Sequence, residues 1–275
     1  MILSKIKKHL SIFCIRLNQK RELNKIKEEK NPYLNIIVKS FLEVKLNKKL
    51  NDHLEVFKLC ERYRKNLLKD DRIITYEIFG LSKKIKVKEI CKKATSSPIW
   101  AQFLYLIIDK LSTPFVLEIG TNLGVSGTYI LSAIKNKKNS FFITMEGVPA
   151  LCKIAQSQFS SIASKKKFQI IQGLYNNTFP KLIAQNLNFN ILFIDGNHRK
   201  NDTLYYFNSL ISNKELQCIM IFDDINWSAE MQECWSIIRK NPIVSYSINY
   251  YKWGIIIIDQ STSKFHQHFY FHLDY

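Results

Sequence analysis

Through residues 1–93 apolar residues recur at three- and four-residue spacing among Lys, Glu and Asn. Leu54, Phe57, Leu59, Cys60, Tyr63, Leu67 and Leu68 show it best. That period places one apolar face along a helix and predicts a helical region. Pro32 interrupts it once, and the stretch 79–82 (Phe-Gly-Leu-Ser) predicts a turn. From residue 96 the pattern changes. Ser96, Ser97 and Pro98 open a helix over 99–111, and short apolar runs then alternate with helical stretches. Strands are predicted at 115–117, 141–145, 168–171, 191–194 and 219–222, each followed by a helix. Further strands are predicted at 244–250, 254–258 and 268–273. Five strand–helix units in succession imply an α/β fold: a doubly wound, mostly parallel sheet covered on both faces. The predicted division is a basic helical N-terminal extension, 1–95, acting as a lid, followed by a core domain, 96–275.

The longest apolar runs, such as Gly254 to Ile258, fall far short of the roughly 20 residues that cross a bilayer. The first residues scatter Lys among apolar positions and form no secretory signal, and the six cysteines make no CxxC pair. They read as reduced thiols of a cytoplasmic protein, with no zinc or disulfide framework. Hydrophobic residues make up 46%, a globular value. The net charge of +18 points first to a polyanion. Two observations weaken that reading. Lys outnumbers Arg 34 to 7, a bias that AT-rich codons produce without selection. Residues 1–93 also carry +14 of the charge, leaving +4 for the rest. RNA or an anionic membrane surface remains the secondary partner, reached through the N-terminal region.

Ligands of such sheets bind beyond the carboxyl ends of the strands. The first core strand ends in Glu118-Ile119-Gly120, and glycines follow at 124 and 127. Glycines permit a tight turn and close backbone approach, and the next helix N-terminus offers free N–H groups. The spacing is not the GxGxxG of dinucleotide enzymes. The second strand ends in Glu146-Gly147, where a carboxylate can accept from both hydroxyls of a ribose. Either feature alone is equally consistent with a tight turn or a surface acid. Their occurrence on successive strand ends points to a ligand.

The run EIGTNLGVSGTYIL, followed in order by ITMEG, IIQG, FIDGNHRK and IFDDINWS, resembles class I S-adenosylmethionine-dependent methyltransferases. It is most similar to the catechol- and caffeoyl-CoA-type O-methyltransferases and to a related bacterial group of undefined substrate. Asn122 stands where the family commonly has glycine; Asn tolerates left-handed backbone. The resemblance implies a Rossmann-like domain over about 96–275. It implies that Glu118, Gly120, Thr121, Gly124 and Ser126 hold the methionine end of the cofactor, and that Glu146 and Gly147 hold the ribose. Gly173, Tyr175 and Asn176 would lie on the adenine side, and Asp195 would also serve the cofactor. Asp195, Asp223 and Asp224 match the Mg²⁺ ligands of the catechol-type branch, where hard oxygens suit that ion. The alternative is that they hydrogen-bond cofactor and strand ends. His198 stands near the branch's catalytic lysine and is the candidate general base; otherwise it orders its loop. Trp227 and Trp235 are expected to pack. His266, His268 and His272 lack a nearby acid or cysteine cluster and are not read as a metal site. The implied activity is methylation of a small-molecule acceptor, at oxygen, with Mg²⁺ assistance, by a chain that can dimerise over its cleft. The alternatives are an RNA methyltransferase and a cofactor-binding protein without catalysis.

Overall fold

The computed structural model describes residues 2–46, 50–212, 217–259 and 266–274, with side chains described from residue 9. In chain order the helices are α1 (Ile2–Glu28), α2 (Pro32–Lys45), α3 (Leu54–Leu67), α4 (Val87–Lys93), α5 (Pro98–Asp109), α6 (Val125–Ile134), α7 (Pro149–Ile162), α8 (Tyr175–Ile183), α9 (Lys200–Ile211) and α10 (Ala229–Arg239). The strands are β1 (Ile73–Thr75), β2 (Lys84–Lys86), β3 (Phe115–Ile119), β4 (Phe141–Glu146), β5 (Phe168–Gln172), β6 (Ile191–Ile194), β7 (Cys218–Phe222), β8 (Tyr246–Asn249), β9 (Gly254–Ile258) and β10 (Gln267–Tyr270). The N-terminal reading falls partly outside the description: the backbone is helical from Ile2, but the side chains of 1–8 are not described. The chain forms two compact units, residues 42–191 and residues 1–41 with 192–275.

In the 42–191 unit β3 and β5 flank β4, and both pairings are parallel. Phe142, Ile143 and Met145 are all buried although neighbours in a strand face opposite ways, so both faces of β4 are covered. The register sets Glu118 opposite Thr144 and carries Glu146 one residue beyond the end of β3. That offset puts two carboxylates at successive depths of one sheet end.

The uniformly helical reading of 1–93 is corrected here. β1 and β2 form an antiparallel ribbon, Ile74 opposite Ile85. The cause is local. The Asp70 carboxylate accepts from the Arg72 N–H at 2.9 Å, an Asx turn that competes with helix, and Ile73, Ile74 and Thr75 are β-branched. Gly80, at φ +69°, terminates a short 3₁₀ turn over Glu77–Phe79, where a turn is predicted. Ile74, Val87 and Ile90 from this segment are buried in one cluster with Leu123, Val125 and Val148, so the ribbon and α4 pack beside the start of α6.

In the other unit β9 runs antiparallel to both β7 and β8, while β8 and β10 are parallel. β7, β8 and β10 therefore point the same way. The alternation of apolar runs predicts these strands but not the reversal of β9. Asn31 caps α2: its Oδ1 accepts from the Leu34 N–H at 2.9 Å, and its Nδ2 donates to Asp259 Oδ2 at 2.6 Å. Phe41 of α2 packs against Phe271 and Tyr250, ring centroids 5.1 and 5.5 Å away. The Arg16 Nε of α1 donates to His272 Nδ1 at 3.3 Å.

Candidate functional site

The loop after β3 is shaped by four positions. Gly120, Asn122 and Gly124 all have positive φ (112°, 49° and 75°), so Asn122 takes the left-handed conformation that its side chain tolerates. At Gly127 a Cβ would overlap the Phe159 ring, so α6 packs there at backbone distance. The loop is braced from outside: Tyr63 Oη donates to the Leu123 carbonyl at 2.6 Å, and Asn122 Nδ2 to the Ala94 carbonyl at 2.8 Å.

Glu118 is fully buried. It accepts from Ser126 Oγ at 2.5 Å and from Thr144 Oγ1 at 2.7 Å. Thr121 Oγ1 in turn lies 2.6 Å from Thr144 Oγ1. Burial outweighs these two donors and, with the nearby Glu146 charge, raises the Glu118 pKa to about 7. Glu146 is buried too. Its two oxygens accept from the Asn122 and Val148 N–H groups at 2.8 and 2.9 Å. Burial still raises its pKa, against the backbone donors of Val148, Asn122 and Gly147. Each carboxylate oxygen has a second lone pair to offer.

Gly173 (φ +141°) follows β5, and its N–H bonds the Glu146 carbonyl at 2.9 Å. Tyr175 begins α8, and its hydroxyl donates to the Met145 carbonyl at 3.3 Å; Asn176 is exposed. The structure thus gathers Glu118, Gly120, Thr121, Gly124, Ser126, Glu146, Gly147, Gly173 and Tyr175 around the carboxyl ends of β3, β4 and β5. Sequence reasoning missed an aromatic pair there. Tyr76 and Phe79 stack at 6.4 Å, a Cβ on Gly147 would stand 3.0 Å from Phe79 Cζ, and the Glu146 charge acts on Tyr76. The i, i+3 aromatic spacing before Gly80 was the available signal.

The candidate acids of the other unit are arranged differently from expectation. Asp195 follows β6, and its Oδ1 lies 3.5 Å from His198 Nε2. Asn197 and His198 both have positive φ (63° and 40°), as do Asp224 (51°) and Tyr251 (71°). Non-glycine residues in this region carry strain that clusters at functional sites. Asp223 and Asp224 do not join Asp195 in a metal cluster: among the described residues no group of three or more His, Cys, Asp or Glu could hold an ion. The expected Mg²⁺ ligand set does not fit this geometry. Two of the three aspartates are instead engaged by Lys252, absent from the sequence reading. Its Nζ donates to Asp223 Oδ1 at 2.6 Å and to Asp224 Oδ1 at 2.8 Å. Burial lowers its pKa, and the two aspartates more than offset that, so the net direction is up.

Trp235 is buried as expected, but Trp227 is 73% exposed. Its N–H bonds the Asp224 carbonyl at 2.9 Å, a turn that leads the side chain away from the core. A cavity of about 520 Å³ opens at the carboxyl ends of β7, β8 and β10, lined by Asn226, Asn249, Tyr251, Tyr270 and, from α1, Asn18, Arg21 and Glu22.

Residues 117–225, from within β3 to just beyond β7, match the family model of a methyltransferase domain. The fold is that of a class I methyltransferase. An O-methyltransferase from Bacillus cereus, solved with S-adenosylhomocysteine, superposes with a TM-score of 0.51 at 18% identity, over 61% of this chain and 84% of its own. An S-adenosylhomocysteine-bound methyltransferase of Podospora anserina gives 0.52 at 14% identity, over 73% and 94%. The cofactor-bound protein Rv0187 from MTB gives 0.51 at 16%, over 84% and 98%. No curated protein sequence matches the chain. The methyltransferase fold is therefore shown at the level of architecture, not of a catechol- or caffeoyl-CoA-type branch. No described helix is long and apolar enough to cross a membrane.

Proposed function

We propose that the chain is an S-adenosylmethionine-dependent methyltransferase acting on a small-molecule acceptor at oxygen. The observation that carries it is the doubly engaged Glu146 at the end of β4. Its oxygens hold the glycine loop by the Asn122 N–H and the start of α7 by the Val148 N–H, and retain lone pairs for a ribose diol. When bound, the cofactor supplies an already activated sulfonium methyl, so the protein's task is chiefly positioning.

The residues divide that task. The 120–126 loop holds the methionine end, with Glu118 fixing the loop from beneath through Ser126. Gly147 and Gly173 let the backbone close on the adenosine, with Tyr175 and Asn176 on the adenine side. Tyr76 and Phe79 offer it an aromatic face. On the acceptor side, the His198 imidazole takes the hydroxyl proton and Asp195 orients the ring.

Calorimetry with S-adenosylhomocysteine tests the reading. Wild type binds, and Glu146→Ala loses at least tenfold in affinity, the ordinary cost of about 1.4 kcal/mol for a lost charged hydrogen-bond partner. A wild type that binds no S-adenosylhomocysteine overturns it.

A further inference from the structure

The cation that faces the strand-end aspartates is part of the chain. Lys252 Nζ bonds one oxygen of Asp223 and one of Asp224. Asp223 is buried, and an unpaired carboxylate there would be costly. The backbone fixes the arrangement. β7 and β9 pair antiparallel with Phe222 opposite Gly254, so two further steps along that register set Asp224 opposite Lys252. The Ile225 N–H donates to the Lys252 carbonyl at 3.1 Å, and Asn226 Nδ2 donates to the Tyr251 carbonyl at 2.5 Å. Both loops hold their left-handed residues, Asp224 and Tyr251, inside this brace. The ammonium has three N–H donors and spends two on the aspartates.

We infer that Lys252 is the fixed cation of the acceptor site, occupying the position a divalent ion would need, so that acceptor binding proceeds without metal. This rests on the methyltransferase reading and deepens it. A divalent ion offers several coordination positions and can chelate two acceptor oxygens together. The lysine has one remaining N–H and can hold one. The acceptor class is therefore a molecule presenting a single reacting hydroxyl, with no requirement for a vicinal pair. The ammonium holds that oxygen and stabilises negative charge on it as its proton leaves. Lys252 also keeps Asp223 and Asp224 from closing on a metal.

The test uses the full chain loaded with S-adenosylhomocysteine and titrates Mg²⁺ alone by calorimetry. Wild type shows no Mg²⁺ binding in the millimolar range. Lys252→Met removes the ammonium, leaves two adjacent carboxylates, and gains Mg²⁺ binding at least tenfold stronger than wild type. The gain disappears in Lys252→Met/Asp223→Asn. Lys252→Arg, which keeps the charge, behaves as wild type and serves if Lys252→Met fails to fold. The inference is overturned if wild type binds Mg²⁺ at a site that Asp223→Asn or Asp224→Asn abolishes. It is also overturned if Lys252→Met gains no Mg²⁺ affinity while folded by circular dichroism. The S-adenosylhomocysteine titration reports separately on the cofactor. Loss of that binding with the Mg²⁺ pattern intact refutes the methyltransferase reading and leaves the lysine as the site's cation.

Discussion

Glu118→Gln isolates the effect of one buried carboxyl on stability. In an unfolded chain its pKa is near the ordinary 4.5, and in the fold it is about 7. The folded state therefore binds more protons than the unfolded state between those values, and stability falls as pH rises across them. The contribution is fully present below pH 4.5 and is lost as pH rises through about 7. At about 1.4 kcal/mol per pH unit, the gap corresponds to about 3 kcal/mol. Glutamine keeps the shape and can still pair with Ser126 and Thr144, whose hydroxyls both donate and accept. Urea unfolding of both proteins from pH 4.5 to 8 measures the difference. Wild type should lose about 3 kcal/mol relative to Glu118→Gln across that window. Parallel curves, within about 0.5 kcal/mol, would refute the argument that burial dominates at Glu118.

Three further substitutions, at two positions, test the packing that positions the sites. Gly127→Ala drives a methyl into Phe159, with Cε1 at 2.8 Å, and should cost about 1–3 kcal/mol by overpacking, read as a lowered Tm. Asn31→Ala removes both the α2 cap and the donor to Asp259, for about 2–3 kcal/mol by denaturant unfolding. Asn31→Asp keeps a capping oxygen but sets a second carboxylate against Asp259, and should be the less stable of the two at pH 7.

The core strands were legible because each is a short apolar run bounded by turn residues. Ile191–Ile194 and Gly254–Ile258 stand where the pattern puts them. The β1–β2 ribbon was hidden because three-residue strands are too short to show a period of two, and the helical spacing on either side of them is strong. In the 42–191 unit, Glu118, the glycines and Glu146 are each within a few residues of a strand end, so sequence order alone predicts their company. Lys252 was not legible in this way. It lies 28 residues beyond Asp224 and meets it only through the antiparallel β7–β9 pairing, a direction that apolar patterning does not encode. Trp227 was misjudged by residue type: an indole usually packs, but the turn after Asp224 aims this one outward.

The unit formed by residues 1–41 and 192–275 also has a consequence during synthesis. The partners of α1 and α2, such as His272 for Arg16 and Asp259 for Asn31, emerge after the whole 42–191 segment. At about 5–20 residues per second, those 150 residues take roughly 8–30 s to make. During that interval Phe41, fully buried in the finished protein, lacks Tyr250 and Phe271, the rings it packs against. The nascent chain thus displays this aromatic ring of α2 for seconds before the residues that pack on it exist, an opening for chaperone capture.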